Sequence, residues 1–249
     1  MIKRNYYKIV RIFPDPSSYF YIKNETMNRN EVGLFIFTPE MLDEMTLDYS
    51  FDKVNWTRVT DYNKDSIYIP ADGYMYLRNT TGIFATNRTQ VITPHFNISI
   101  GGDIRTLFNY TDVESVTKIP DYGFHDPFSF QNNSKCIDIS NLSFRGITEI
   151  GNYGLKDAFE YSFTITKGVD LRDVTTLGVG ALNNLYSNNS NLKEVYAPNV
   201  STWDKNKTSN WLYGVASTGV VYKPSTLTIP TRNDSGIPYG WTTQDYPVE

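Results

Sequence analysis

Three copies of one motif occur in the second half of the chain: VTKIPDYGFHDPF at residues 116–128, ITEIGNYGLKDAF at 147–159 and VTTLGVGALNNLY at 174–186. A shortened fourth copy spans residues 200–213. The copies begin roughly 26 to 31 residues apart, which is a spacing typical of repeats that stack into a solenoid. One such unit cannot bury its own apolar face, so neighbouring units have to stack to form a core. Because solenoids usually present surface, the repeats favour binding or assembly over catalysis.

Each copy divides into a strand, a turn and a segment that we expect to be helical. The strand has the pattern Val/Ile-Thr-x-Ile/Leu, and a turn that contains glycine follows it. The expected helices begin at Gly123, Gly154 and Ala181 and close on the aromatic residues Phe128, Phe159 and Tyr186. A strand, a turn and a short helix in each unit is the pattern of leucine-rich repeats. We therefore predict a short solenoid of this kind over residues 111–215, to which extended pieces at 136–139, 168–171 and 192–198 add strands.

The first half of the chain consists of short β-rich runs separated by turn-forming residues. These runs lie at residues 6–13, 19–22, 32–37, 46–49, 66–69 and 74–77. Such spacing predicts an antiparallel β-sandwich or barrel-like domain over residues 25–110. Residues 216–249 are rich in proline and glycine, and we expect them to form an irregular cap on the solenoid, with Trp241 as its plug. The predicted fold class is mainly β.

Charge and composition argue against several classes of partner. The net charge is −4, so the chain has no broad attraction for nucleic acids or anionic membranes. No segment approaches the roughly 18 apolar residues that cross a bilayer. Cys136 is the single cysteine, which excludes an internal disulfide. Residues 1–10 lack the apolar core of a secretory signal, so we expect synthesis in a cytoplasm without export by the general route.

The sequence contains few of the residue patterns that carry catalysis. His95 and His125 are far apart in the chain, and together with Cys136 they are too few for a zinc site. There is no Gly-x-Ser-x-Gly nucleophile motif, and Gly101-Gly102 lacks the lysine of a phosphate-binding loop.

Two carboxylate pairs, Asp121/Asp126 and Asp170/Asp173, have the composition that a glycosidase needs. Aspartates at turns more simply satisfy local backbone groups. We expect a protein that is not an enzyme and that has no cofactor and no metal site. Calcium bound by the Asp-rich turns stays open as an alternative.

Several segments resemble a known group of proteins. The pattern GVVY…SGIPYGW, within residues 219–241, resembles the closing segment of BspA-like leucine-rich-repeat surface proteins of gut bacteria. Residues 47–56, 67–78 and 99–107 resemble the domain that often precedes those repeats. Related forms occur in virion proteins of tailed phages that infect such bacteria, including crAss-like phages. The resemblance covers most of residues 30–245.

The chain departs from the cellular members of this group in having few repeats and no signal or lipoprotein cysteine near its start. Both departures favour the phage branch. The resemblance then implies a structural virion protein, namely a head fibre, spike or capsid decoration subunit that projects from the particle and contacts the host surface. It also implies an attachment arm at residues 1–24 that docks to other virion proteins. We further expect a homo-oligomer, a trimer, because symmetric assembly suits a projecting fibre.

The alternative is a tail fibre or surface adhesin module that binds a host glycan or protein. The 19 tyrosines fit contact surfaces and ordinary β-sheet equally well. Exposed aromatic rings can stack on sugars, and the candidate recognition residues are Tyr153, Tyr186, Trp203 and Trp211, although each also suits a core position. A cellular surface protein exported by an unusual route is the third hypothesis.

Overall fold

The computed structural model describes residues 19–25, 46–59, 67, 69–81, 97–127, 137–232 and 234–247. These residues form a mainly β structure with one mixed and two parallel sheets, which confirms the predicted class. The strands are β1 Phe20–Asn24, β2 Leu47–Ser50, β3 Thr57–Arg58, β4 Tyr74–Asn79, β5 Ile98–Asp103, β6 Lys118–Ile119, β7 Ile137–Ser143, β8 Glu149–Ile150, β9 Lys167–Asp170, β10 Thr176–Leu177, β11 Glu194–Tyr196, β12 Gly219–Lys223 and β13 Trp241–Asp245. The described helices are α1 Thr106–Asn109 and a 3-10 turn at Val113–Ser115.

The N-terminal strands form a six-stranded sheet in the order β3-β2-β4-β1-β5-β7. All neighbours are antiparallel except β5 and β7, which run parallel. In β1 and β4 buried residues alternate with partly exposed ones, as expected of strands that cover a core on one face. Within the described residues these strands therefore lie in one sheet and not in the two packed sheets that we expected of a sandwich.

The repeats supply two parallel sheets, in the orders β10-β8-β6 and β13-β12-β11-β9. Each repeat is one coil of the chain: it adds a short strand to the first sheet, passes through a segment of turns, and adds a strand to the second sheet or to the mixed sheet. Successive coils pair in register, for example Ile119 with Ile150 and Ile150 with Leu177. Successive coils are thus joined by parallel strand pairing.

The turns of successive coils form a continuous hydrogen-bonded band that we call the turn ribbon: residues 121–127, 152–161, 179–188 and 205–214. In the second coil, residues 153, 155, 157, 159 and 161 each donate their N–H to a carbonyl of the next coil, 26 positions onward. Residues 154, 156, 158 and 160 donate to the carbonyl three positions back. An α-helix would instead need bonds to the fourth residue back. The short helices that we expected at these positions are therefore wrong.

Positive φ angles at every fourth residue explain the departure from a helix. They occur at residues 153, 157 and 161 of one coil and at 180, 184 and 188 of the next. An L-residue in this region interrupts a right-handed helix, and glycine, asparagine and aspartate tolerate it best. Four of these six positions are Asp157, Gly180, Asn184 and Asn188, and the other two are tyrosines.

The mixed sheet and the repeats share one hydrophobic core. A row of rings runs through it, since Phe20 of β1 packs on Phe124, Phe124 on Phe159, and Phe159 on Tyr186 at centroid distances of 6.2, 6.2 and 5.8 Å. Phe159 and Tyr186 are the expected closing aromatics, whereas Phe128 lies outside the described residues. Strand β7 also contacts β9, so sheet and core both cross the boundary that we expected near residue 110.

Both ends of the chain differ from the expectation where they are described. Residues 20–24, which we assigned to an attachment arm, form β1 between β4 and β5; residues 1–18 of that arm lie outside the described residues. The segment expected to be an irregular cap contains β12 and β13, paired over five residues in each strand. Trp241 is 7% exposed and its indole N–H donates to the Ala216 carbonyl at 2.6 Å. Its ring lies against Gly219, where a Cβ would collide with it.

A buried ion pair lies where β5 leads into α1. The Arg105 guanidinium donates to both carboxylate oxygens of Asp103 at 2.8–3.1 Å, and also to Glu114 at 3.2 Å. Asp103 and Arg105 are 4% and 5% exposed. Gly146, at φ 81°, leaves the space that the guanidinium occupies. The pair thus connects the mixed sheet with the first turn of the repeats.

We predict that Arg105→Ala lowers the free energy of unfolding by about 3–5 kcal/mol, because it leaves the Asp103 carboxylate buried without its partner. The matched control is Arg232→Ala, which removes an exposed pair with Asp234 at 2.8 Å and should cost less than about 1 kcal/mol. Urea unfolding followed by circular dichroism measures both. Similar losses for the two variants would contradict the assignment of a structural role to the buried pair.

Candidate functional site

Two of the four aromatic residues expected at a recognition surface belong to the core. Tyr186 and Trp211 are each 1% exposed. The Tyr186 hydroxyl accepts the Val169 N–H at 2.8 Å, and the Trp211 indole donates to the Gly236 carbonyl at 2.8 Å. Burial raises the pKa of Tyr186 strongly. Their rings therefore cannot face a ligand, because both side chains are buried in the hydrophobic core.

The other two residues are half-buried and also take part in packing. Tyr153 stacks on Tyr122 of the preceding coil, with centroids 5.2 Å apart and planes 23° apart, and its ring covers Gly180. Trp203 packs on Trp211 at 4.8 Å and donates its indole N–H to the Ser235 carbonyl at 2.6 Å. Trp203 and Trp211 thus pack on each other, Tyr153 and Tyr186 pack on rings of other coils, and the four residues do not form one binding surface.

The outer side of the mixed sheet carries a different aromatic group, which we call the tyrosine face: Tyr21, Tyr74 and Tyr76 with Lys23 and Lys53. The alternation of β1 and β4 produces it, because the apolar neighbours of these tyrosines point to the core. The register then places Tyr21 opposite Tyr76 and Lys23 opposite Tyr74. Three rings from two strands thereby share one side of the sheet.

The rings of the tyrosine face are held in fixed positions relative to one another. Tyr74 and Tyr76 lie parallel within 5°, with centroids 5.8 Å apart. Tyr21 meets both edge-on, at 5.3 and 6.2 Å. It lies across Gly101, where any Cβ would collide with its ring, and its hydroxyl bonds to the Asn141 side chain. Burial raises the pKa values of Tyr21 and Tyr76, whereas the Tyr74 ring is in the most open position, on a residue that is 38% exposed.

An arginine clamp borders the tyrosine face. The Arg78 guanidinium lies 4.0 Å from the Trp56 ring and 4.3 Å from the Tyr110 ring, a geometry in which a cation is attracted to both rings. Its Nε also donates to Asp48, which accepts a second bond from Arg58. The clamp fixes the edge of the sheet beside the tyrosines. Because Arg78 lies over the Trp56 ring, that ring is less open than the ring of Tyr74.

A braced loop borders the face on its other side. The Asp52 carboxylate accepts bonds from the backbone and side chain of Asn55, from the Val54 N–H and from the Ser50 hydroxyl. These bonds, those from Asn55 first, hold the pKa of Asp52 far below its usual value. The fixed loop presents Phe51 and Val54 to solvent, and it places the Lys53 ammonium 4.6 Å from the Tyr76 ring.

The charged groups around the tyrosine face are mostly paired. In the described residues from 19 to 81, the cations Lys23, Lys53, Arg58 and Arg78 are matched by Glu25, Asp48, Asp52 and Asp72, and Asp138 of β7 adds a further negative charge near Tyr21. Lys23 contacts Glu25 and Asp72 at 2.9 Å each, and these contacts raise its pKa. A surface of aromatic rings and hydrogen-bonding groups whose charges are mostly paired is suited to an uncharged polar ligand.

A second aromatic row lies on the four-stranded sheet. Tyr196 and Tyr222 stack at 4.8 Å, and Lys167 and Arg172 lie 4.8 and 5.0 Å from the Tyr196 ring. Arg172 is in turn held by Asp170 at 2.7 Å. Because Tyr196 already contacts another ring and two cations, this row is better suited to stabilising the sheet than to binding a ligand.

The titratable groups of the turn ribbon form a separate cluster. Burial, reinforced by the charge of Asp157, raises the pKa of Asp126 to about 6 and that of Glu160 to about 7. Asp157 is buried too, but contacts with His125, Asn184 and Lys156 outweigh the burial and lower its pKa. His125 Nε2 lies 3.5 Å from Asp157 and is too distant for a strong hydrogen bond.

The carboxylate pairs noted in the sequence serve local structure. Asp121 accepts the backbone and side-chain N–H groups of Asn152 at 2.9 and 2.8 Å, and Asp173 accepts the Gly146 N–H at 2.9 Å. Within the described ranges, no group of three or more His, Cys, Asp or Glu residues could hold a metal ion. His95 and Cys136 lie outside those ranges.

Comparison with protein-family models, with curated proteins and with solved structures finds no match. In the part of the chain that the structure describes, no helix is both long and apolar enough to cross a membrane. The site therefore has to be interpreted from its own geometry.

Sequence reasoning missed the tyrosine face, although a signal for it was present. Residues 74–78 read Tyr-Met-Tyr-Leu-Arg, in which aromatic and basic residues alternate with apolar ones. This period of two places Tyr74, Tyr76 and Arg78 on one side of a strand. The partner residues Tyr21 and Lys53 could not be found in this way, because the pairing of β1 with β4 joins segments about fifty residues apart.

We predict that Glu160→Gln raises the melting temperature at pH 8 and leaves it nearly unchanged at pH 4. The unfolded carboxyl ionises near its ordinary pKa of 4.5 and the folded one near 7, so the folded state loses stability as the pH rises through this interval. Glu114→Gln is the control of opposite sign, because Arg105 lowers the pKa of Glu114. Thermal unfolding at pH 4, 6 and 8 tests both, and a pH-independent effect of Glu160→Gln would refute the prediction.

Proposed function

We propose that this protein is a non-enzymatic structural protein of a tailed-phage virion, a head fibre, spike or capsid decoration subunit. The observation that carries the proposal is the stack of repeated coils. Their strands pair in register, and the backbone groups of their turns hydrogen-bond from one coil to the next. Such a stack forms an extended surface by repeating a short unit, and its side chains mainly pack one unit against the next.

We further propose that the stacked coils are leucine-rich repeats of the BspA-like kind. The support is the repeat spacing of roughly 26 to 31 residues, the short parallel strand of each unit and the resemblance of the closing segment. The turn ribbon takes the place of the helix in each unit. Within this proposal the mixed sheet caps the first coil, since β5 and β7 extend the parallel arrangement and β1 to β4 add antiparallel strands to it.

Mass spectrometry of density-purified phage particles is the direct test of a virion role. Trypsin should release residues 173–193, which lie between Arg172 and Lys193 and contain no other cleavage site. We expect this peptide in the particle fraction at a constant ratio to the capsid protein, and antibodies against the chain should label particles at defined positions in electron micrographs. Recovery of the peptide only in the soluble fraction of lysed cells would contradict the proposal.

Contact with a glycan is the second function that we propose, and the tyrosine face favours it. Its rings are fixed by neighbours, its charged groups are mostly paired, and Tyr74 keeps an accessible ring. The C–H groups of a sugar ring pack well against such a ring, while lysine, aspartate and asparagine side chains at the rim bind hydroxyl groups. The proposal moves recognition from the repeats to the mixed sheet.

We predict that Tyr74→Ala weakens binding to a glycan identified on a printed array of bacterial and host glycans by roughly tenfold, as expected for the loss of one aromatic contact. Tyr213→Ala is the matched control, since Tyr213 is 51% exposed on the turn ribbon and should leave the affinity unchanged. Titration calorimetry with the best glycan measures both. An array without hits, or equal losses in the two variants, would rule out the tyrosine face as the glycan site.

A further inference from the structure

The outer edge of β13 is the end of a regular parallel sheet. Within the described residues β13 pairs with β12 alone, whereas β12 pairs on both sides and β11 does the same. The pairing of Gly219–Lys223 with Trp241–Asp245 has no register shift. The edge of β13 is therefore straight over five residues, and a further strand could continue it.

The backbone groups on this edge can be assigned from the ladder. Tyr246 donates its N–H to the Lys223 carbonyl, and in a parallel ladder alternate residues face the same neighbour. Thr242 and Gln244 therefore face β12, while Thr243 and Asp245 direct their N–H and C=O groups away from it. The Trp241 carbonyl also faces outward, and its N–H is satisfied by Pro238.

Strands β3 and β13, which are edge strands of two different sheets, differ in how they are protected. Strand β3 is two residues long and carries Arg58. Short strands, bulges, lysine and proline are the usual means of preventing edge pairing. Residues 241–245 contain no lysine, proline or bulge, and residues 242–245 are exposed. An edge of this kind is a template for another strand.

We propose that β13 pairs with β13 of a second copy of this chain, antiparallel about a two-fold axis at Thr243. In this register Thr243 meets the partner's Thr243, Thr242 meets the partner's Gln244, and Trp241 meets the partner's Asp245. No charged residue then faces its like, and the polar pairs are of the kind that stabilises antiparallel strands.

The same register satisfies most of the outward backbone groups of both copies; the Asp245 carbonyl is the exception, because the Trp241 N–H opposite it is already donated to Pro238. The two Thr243 residues exchange a pair of N–H···O=C bonds, and each Asp245 N–H reaches the partner's Trp241 carbonyl. A two-fold contact uses one surface twice and closes on itself, so it gives a pair and not a filament. This inference does not depend on the proposed virion role, and it replaces the trimer expected from the fibre analogy with a pair.

Cysteine cross-linking tests the register. In a Cys136→Ser background, Thr243→Cys should give a disulfide-linked pair under mild oxidation, because hydrogen-bonded antiparallel residues lie about 5.5 Å apart at Cα. Thr242→Cys is the matched control: it lies one residue away on an equally exposed position, and its partner copy would be roughly 8 Å distant, beyond disulfide reach. Selective cross-linking of Thr243→Cys supports the proposal. Equal cross-linking of both variants, or of neither, overturns it.

Light scattering of the uncross-linked protein supplies the second test. We expect the mass to rise from one to two chain masses with increasing concentration. Thr243→Pro, which removes an outward N–H from each copy, should raise the dissociation constant of the pair roughly tenfold or more. Thermal unfolding confirms that the variant is folded. A mass of one chain at every concentration, a trimer, or unchanged pairing of Thr243→Pro would refute the inference.

Discussion

The hydrogen bonding of each coil to the next is the constraint on which the rest of the structure depends. A single coil has short strands and turns whose N–H groups cannot all be satisfied internally, and burying them unpaired would be costly. In the turn ribbon every second residue solves this by donating to the following coil. The chain must therefore keep nearly the same length in each coil, and the side chains between coils must fit a fixed separation. That requirement explains why a glycine lies under Tyr153 and another under Trp241. It also explains the row of rings from Phe124 to Tyr186.

The mixed sheet satisfies the same constraint at the first coil. Strands β5 and β7 run parallel, like the strands of the repeats, and β7 contacts β9. On the far side of β5 the direction reverses, and antiparallel strands end the parallel array with the short strand β3. These antiparallel strands close one end of the stack, and the outer side of their sheet carries tyrosines and lysines. The tyrosine face and the end of the stack are thus both features of this one sheet.

The sequence indicated repeated units through the pattern shared by residues 116–128, 147–159 and 174–186, although it did not predict that their strands pair in parallel. It did not predict the turn ribbon, since Gly-Leu-Lys-Asp-Ala-Phe at residues 154–159 has the composition of a helix start. What decides against a helix is the positive φ at Tyr153, Asp157 and Tyr161, which neighbouring coils impose. For a related reason the sequence did not predict that the described N-terminal strands lie in one sheet, since nothing local in Phe20–Asn24 indicates that its neighbours are β4 and β5. At the candidate site, nothing in the sequence distinguished Tyr186 and Trp211 from exposed aromatic residues. The alternation in β4, by contrast, did indicate that Tyr74 and Tyr76 lie on one side of a strand.

The position of β1 in the middle of the mixed sheet has a consequence for the protein as it is synthesised. Residues 20–24 leave the ribosome early, but one neighbour ends at residue 79 and the other at residue 103. At roughly 5–20 residues per second, β1 waits about 4 to 16 s for its second partner. Each later coil can pair as soon as the few dozen residues of the next repeat have been synthesised. Folding on the ribosome thus begins with a delay at the mixed sheet and then proceeds coil by coil toward the C-terminus.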